Sequence, residues 1–297
     1  MKRRILNIAV FRKETLYQKM RALIIYLVIS AVFIGCTPIL SIDASTQNVY
    51  HFSDTDKNIS LLDISETFGT YDGSFVLYDN NLDSWKIYDL EEATKRIPPE
   101  STYKIYDALL GLESGIITPE HSSMTWNGDA FPFPSWEADQ DLNSAMQNSV
   151  NWYFQAIDSQ LGINRVQEFL NKIEYGNQTT SSNLDLYWSD FSLKISPLEQ
   201  VTLLKKFNTN EFHLNSQNVF SVKNAIKIAS TPNGNFYGKT GTGRVNGQDI
   251  NGWFIGYVET SDNSYYFATN IQSDSNATGK KAFEITSDIL KKLHIWN

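Results

Sequence analysis

The sequence predicts an α+β fold, an antiparallel β-sheet flanked by helices, preceded by one N-terminal transmembrane helix. Three observations carry this. The apolar pattern changes period along the chain, from a hairpin-like run through a helical block to short aromatic β segments and a closing helix. From Ala22 to Ile42 there is no charge in 21 residues. At about 1.5 Å per residue, such a stretch spans a bilayer core of ~30 Å. Charge is also unevenly divided: residues 1–42 carry +6 and residues 43–297 carry −14, within a formal net charge of −8.

The basic head and uncharged stretch set the topology. Residues 1–21 read as a basic cytoplasmic segment, 22–42 as the membrane helix, 43–70 as a polar juxtamembrane linker and 71–297 as the folded body. A cleaved secretory signal is one alternative. Lipoprotein processing at Phe33-Ile34-Gly35-Cys36 is another. All three put the body outside the cytoplasm. A basic head on an acidic body is poor design for phosphate binding, so no nucleic-acid partner is expected. With 41% hydrophobic and 20% charged residues, disorder and a polytopic membrane protein are both excluded. One cysteine and four scattered histidines, with no HExxH, leave no disulfide framework and no expected metal.

Within the body, Gly73 to Tyr78, the turn signal Asp79-Asn80-Asn81 and Trp85 to Tyr88 read as a β-hairpin. Pro98-Pro99-Glu100-Ser101 opens a helix from Thr102 to about Ser114, with Ser101 as N-cap. A loop rich in Gly, Pro and aromatics follows, Met124 to Trp136. Leu142 to Leu161 reads as one long helix, and Arg165 to Lys172 and Leu198 to Phe207 as two more. Asn235 to Thr242, Gly252 to Glu259 and Tyr265 to Ile271 form a meander, and Gly279 to Leu293 closes the chain as a helix.

Three short motifs converge on one chemistry. Ser101-Thr-Tyr-Lys104 is S-x-x-K. It is compatible with an N-cap serine beside a solvated lysine. If it begins a helix, though, Lys104 lies one turn on, on the serine's face. A lysine buried among Tyr103 and Ile105 loses basicity and can take the serine proton. The helix start offers N–H groups to an oxyanion. Ser149-Val150-Asn151 says little alone. Lys239-Thr240-Gly241 falls in the first strand of the meander. There Lys239 offers a cation to a substrate carboxylate, Thr240 and Thr242 offer hydroxyls, and Gly241 clears space for a ligand along the strand. The order S-x-x-K, S-x-N, K-T-G is that of penicillin-recognising serine enzymes.

The resemblance extends further. Tyr175-Gly176-Asn177, Tyr187-Trp188, Leu193 to Ser196, Gly238 to Thr242 and Asn251 to Tyr257 resemble the class D β-lactamases. More closely, they resemble the extracellular sensor of the BlaR/MecR β-lactam sensor-transducers. Arg3 to Ala9 and Ala22 to Ile42 resemble the last membrane helix of those transducers and the residues before it. The resemblance implies a penicillin-binding, transpeptidase-like fold. It implies that β-lactams acylate Ser101 and that Ser149 relays a proton toward the ring nitrogen, with Lys239 nearby. Thr240 and Thr242 would hold the drug carboxylate. The N–H groups of Ser101 and Thr242 would bind the oxyanion. It also implies a CO2-derived carbamate on Lys104, hydrogen-bonded to Trp188, and no other cofactor.

Asn151 separates two functions within that family. Class D hydrolases carry an apolar valine there, whereas the sensors resemble this chain in carrying asparagine. An amide beside Lys104 favours loss of the carbamate and so a lasting ester. The expected function is therefore a membrane-anchored β-lactam receptor. The alternative is a class D β-lactamase that completes hydrolysis. Full transducers carry a zinc protease that these residues lack, so a separate cytoplasmic protease or transducer is the expected partner.

Overall fold

The computed structural model describes residues 58–297, apart from Ser182 and Leu186. The expected membrane helix at 22–42 lies outside the described residues. Among the described residues, no helix is long and apolar enough to cross a membrane.

The chain opens with β1 (Ile59–Leu61), α1 (Ser65–Phe68), β2 (Asp72–Asp79), β3 (Ser84–Tyr88) and α2 (Leu90–Thr94). A 3-10 turn (Glu100–Tyr103) runs directly into α3 (Lys104–Glu113). The helical block follows: α4 (Leu142–Gln147), α5 (Asn151–Leu161), α6 (Ile163–Ile173), α7 (Pro197–Asn208) and α8 (Ser216–Ala225). β4 (Lys227–Thr231), β5 (Gly234–Val245), β6 (Gln248–Glu259) and β7 (Ser264–Gln272) make the meander, and α9 (Gly279–Lys292) closes it.

The seven strands form one sheet in the order β1-β3-β2-β7-β6-β5-β4. Every neighbouring pair is antiparallel except β1 with β3, so the sheet is mixed rather than purely antiparallel. The parallel strand lies in the expected linker. Sheet and helix therefore begin at Ile59, ahead of residue 71, because Ile59 to Leu61 pairs with Trp85 to Ile87.

Period-two alternation sorts the strand side chains into two apolar layers. Phe75 and Leu77 of β2, Phe254 and Val258 of β6 and Phe267 of β7 pack with Ala282, Ile285, Ile289 and Leu290 of α9. Those helix positions form one stripe, and the Thr278 hydroxyl caps the helix by accepting from the Lys281 N–H at 3.1 Å. The intervening residues, Val76, Tyr78, Trp253, Ile255, Tyr257 and Ala268, belong to the larger layer shared with the helical block.

Two departures from the sequence reading bear on the site. The expected helix at 142–161 is broken at Asn148-Ser149-Val150, where Ser149 takes φ +54°. α8 and β4, which the sequence reading did not identify, complete the frame beside β5.

Candidate active site

The site lies where the 3-10 turn, the start of α5 and the open edge of β5 meet. Ser101 is not an N-cap. It sits inside the 3-10 turn, one residue after Glu100, whose φ is +53°. The hydroxyl is thus free of backbone duty and accepts from Lys104 Nζ at 3.0 Å. The same amine donates to Asn151 Oδ1 at 2.7 Å. Lys104 is 1% exposed, with Nζ 5.5 Å from the centre of the Phe154 ring and 5.4 Å from that of Trp188. Burial pulls its ammonium down to about 8, against the opposing charges of Asp107, Glu100 and Asp158.

The helix break explains Ser149. A continuous helix would keep its hydroxyl on the helix surface. The left-handed residue instead turns it toward β5, where it accepts from Lys239 Nζ. Lys239 also donates to the Thr240 carbonyl at 3.2 Å. It is 4% exposed, and burial first, then the Lys104 charge, brings its ammonium down to about 7.

β4 covers β5 only from Gly234 to Tyr237, and the Gly238 N–H still donates to the Ile226 carbonyl. By strand alternation the N–H groups of Thr240 and Thr242 face the same side, beyond the end of β4. That open edge borders a cleft of about 440 Å³ lined by Ser101, Ser149, Asn151, Thr240, Gly241 and Thr242 together with Phe133, Trp136, Arg244 and Asp249. The Thr242 hydroxyl accepts from the Gly279 N–H at 2.9 Å, which leaves its own hydrogen free to donate.

Gly241 has a different reason from the one expected. A Cβ there would lie 3.0 Å from Glu100 Cβ, 3.1 Å from the Pro99 oxygen and 3.2 Å from the Ser101 nitrogen. The missing side chain lets the strand approach the nucleophile's turn rather than a ligand. Trp188 likewise offers its ring face to Lys104, and its carbonyl accepts from the Glu100 N–H at 3.1 Å. The Tyr175-Gly176-Asn177 element holds this segment. Gly176 has φ +51°, with the Lys194 carbonyl where a side chain would be. Asn177 donates from Nδ2 to the Ser192 carbonyl at 2.7 Å and accepts at Oδ1 from the Lys194 N–H at 2.9 Å.

The sequence reading missed Glu100, Phe133, Trp136, Arg244 and Asp249 as parts of this region. Glu100 is 5% exposed and its Oε1 accepts from Asn251 Nδ2 at 3.2 Å. Burial pushes its carboxyl up to about 8. An acid placed beside a nucleophile, between prolines and a helix, was the available signal. Arg244 Nε donates to Asp249 Oδ1 at 2.7 Å across the β5–β6 turn.

A serine hydroxyl held by a buried, weakened amine, a second serine–lysine pair and strand N–H groups beyond the end of β4 supply the parts for acyl transfer to a serine. The fold and this geometry therefore define a serine acyl-transfer class of protein. Residues 65–291 match the penicillin binding protein transpeptidase domain, and the chain belongs to that family. It is 44% identical to the regulatory protein BlaR1 of Bacillus licheniformis, over 99% of this chain and 49% of that protein. It is 37% identical to the probable β-lactamase YbxI of Bacillus subtilis, over 79% of this chain and 86% of that one. The solved C-terminal domain of the Bacillus licheniformis BlaR penicillin-receptor superposes with a TM-score of 0.79 at 46% identity, covering 81% of this chain and 98% of that domain. The domain is thus closely related both to the BlaR1 and MecR1 sensors and to class D β-lactamases. The chain spans about half the length of the BlaR1 and MecR1 relatives it matches.

Proposed function

We propose that this chain is the drug-capturing part of a membrane-anchored β-lactam receptor, acylated at Ser101 and signalling through a long-lived ester. One observation carries the choice: Asn151 Oδ1 accepts from Lys104 Nζ at 2.7 Å. The amide occupies the amine that a hydrolase needs free to activate water for deacylation. The higher identity to a BlaR1 protein than to the probable β-lactamase supports the same reading.

In the capture step, Ser101 Oγ attacks the lactam carbonyl and its proton passes to the neutral Lys104 amine. The Ser101 and Thr242 N–H groups stabilise the oxyanion. The C–N bond breaks, and the ring nitrogen takes a proton from Lys239 through the Ser149 hydroxyl. An ammonium with a pKa of about 7 is well matched to that donation. The Thr240 and Thr242 hydroxyls face the drug carboxylate.

A carbamate on Lys104 would supply a base that is already unprotonated at neutral pH, where the ammonium still holds its proton. The rings of Phe154 and Trp188 give it dry walls. Its oxygens, however, need donors, and Asn151 presents an acceptor. The amide must turn before the group is held, which favours its loss after acylation. The uncharged stretch 22–42 and its basic flank support anchoring with the body outside the cytoplasm.

The test is a time course of the penicillin adduct by mass. One adduct per chain that persists for many minutes is expected, with none on Ser101→Ala. Asn151→Val should shorten its lifetime at least tenfold. Release within seconds, with sustained nitrocefin hydrolysis, would replace the receptor by a class D hydrolase.

A further inference from the structure

Two acids lie where the fold has no structural use for charge. Asp107 is one helical turn beyond Lys104 on α3, and Asp158 is two turns beyond Asn151 on α5. Both are 0% exposed. Asn151, Phe154 and Asp158 share one face of α5, at spacings of three and seven residues. Phe154 and Asn151 both meet Lys104, so that face runs along the α3 face bearing Lys104 and Asp107. The four carboxyl oxygens lack the close donors that an ionised pair needs, apart from the Tyr187 hydroxyl, which supports the charge of Asp158. The two groups do bond to each other once one is protonated.

An apolar pair would fill this seam at no electrostatic cost. Burial instead raises both carboxyls, and two in contact do not ionise together, so at neutral pH they keep at least one proton. The remaining charge is opposed by Lys104, whose ammonium both acids support. Glu100 and Lys239 also face Lys104. Tyr103, Tyr153, Tyr187 and Asp185 face the pair. Burial holds the three tyrosines neutral, so they bring no charge; the Tyr187 hydroxyl supports ionised Asp158, whereas Tyr153 donates to the Ser122 carbonyl at 2.7 Å.

We propose that Asp107 and Asp158 act as one proton-sharing unit whose single negative charge sets the pH above which Lys104 becomes a base, making both of them positioning residues for the step at Ser101. Charged Lys104 with a singly protonated pair and neutral Lys104 with a doubly protonated pair hold the same protons and the same net charge. The amine is thereby unmasked with no net charge entering or leaving the interior. The inference rests on the proposed function only in casting Lys104 as the base.

The experiment is a 13Cε-lysine NMR titration of the full chain in detergent, with the Lys104 signal assigned by its loss in Lys104→Arg. In the double variant Asp107→Asn/Asp158→Asn the Lys104 midpoint should fall by about one pH unit, and in either single variant by less, because the remaining carboxyl still carries the charge. The rising limb of the acylation rate against pH should move to lower pH by the same amount, which a purely structural role would not produce. Unmoved midpoints in folded variants overturn the inference. A measurement without these variants decides the case if none folds. Infrared absorption at pH 7 should show a protonated carboxyl beyond that removed by Glu100→Gln, and its absence overturns the inference. A Lys104 midpoint that moves in a chain that penicillin never labels would sink the receptor reading and leave this one standing.

Discussion

The two faces of the sheet are built on opposite principles. On the α9 side, Phe236, Phe254, Phe267 and Phe283 interlock with ring centroids 4.9 to 6.3 Å apart, and the buried Thr269 and Thr286 hydroxyls bond each other at 2.6 Å. The buried members of that cluster are Phe, Leu, Ile, Val and Ala side chains. On the other side, Lys104, Lys239, Glu100, Asp107 and Asp158 are all buried. Desolvation is the leading cause of shift for each of the five. One face stabilises the fold, and the other spends part of that stability on groups whose charge is poorly solvated. Reactivity follows from that expense, because an amine left in water would stay protonated at neutral pH.

Three measurements test this contrast. The largest effect belongs to the dry face. Phe267→Ala should cost about 3–5 kcal/mol in chemical denaturation, while the folded variant still takes up one penicillin. A loss below about 1 kcal/mol would mean that this layer is not the main stabiliser. Next comes a pH-dependent difference on the site face. Glu100 has a folded pKa raised to about 8 from 4.5, so it favours the fold at low pH and loses that contribution as pH rises from 4.5 through 8. Glu100→Gln should therefore gain on the wild type over that window, by on the order of 2 kcal/mol at pH 8, whereas variants of the α9 face should shift both ends equally. A constant difference from pH 4 to 8 would show that Glu100 is not buried as a neutral acid. The smallest effect is Lys239→Met. Removing a desolvated ammonium should raise stability by about 1 kcal/mol near pH 6 while slowing acylation. The gain should shrink above pH 8, because the folded pKa of about 7 lies below the ordinary 10.5 and the wild-type lysine costs less as it is neutralised in the fold. A loss of stability at pH 6 would place Lys239 among the supporting contacts instead.

Much of the architecture was legible where pattern and length agree. The hairpin at 72–88 shows an apolar run with a turn signal, the three long strands of the meander are β-rich and aromatic with turn residues between them, and α9 carries a clean stripe. β1 was not legible, because three residues hold too little alternation and its partner is chosen by the sheet edge. α8 mixes polar residues into its buried face at Asn218, and so lacks a readable stripe. The break at 148–150 was hidden because apolar spacing continues across it. Asp107 and Asp158 stand within apolar runs, and an acid on a buried face was a signal that went unread.

Residue order carries the chemistry on offer: a serine three residues before a lysine, a second serine near an asparagine, and a lysine in a glycine-bearing strand, in an order that marks the family. How those groups are charged and aimed depends on packing between distant segments. Reactivity depends on desolvation and on distances between residues about 50 to 140 positions apart, such as Lys104 with Asn151 and Ser101 with Gly241. Local pattern carries neither, since burial is a property of what packs over a residue and not of the residue.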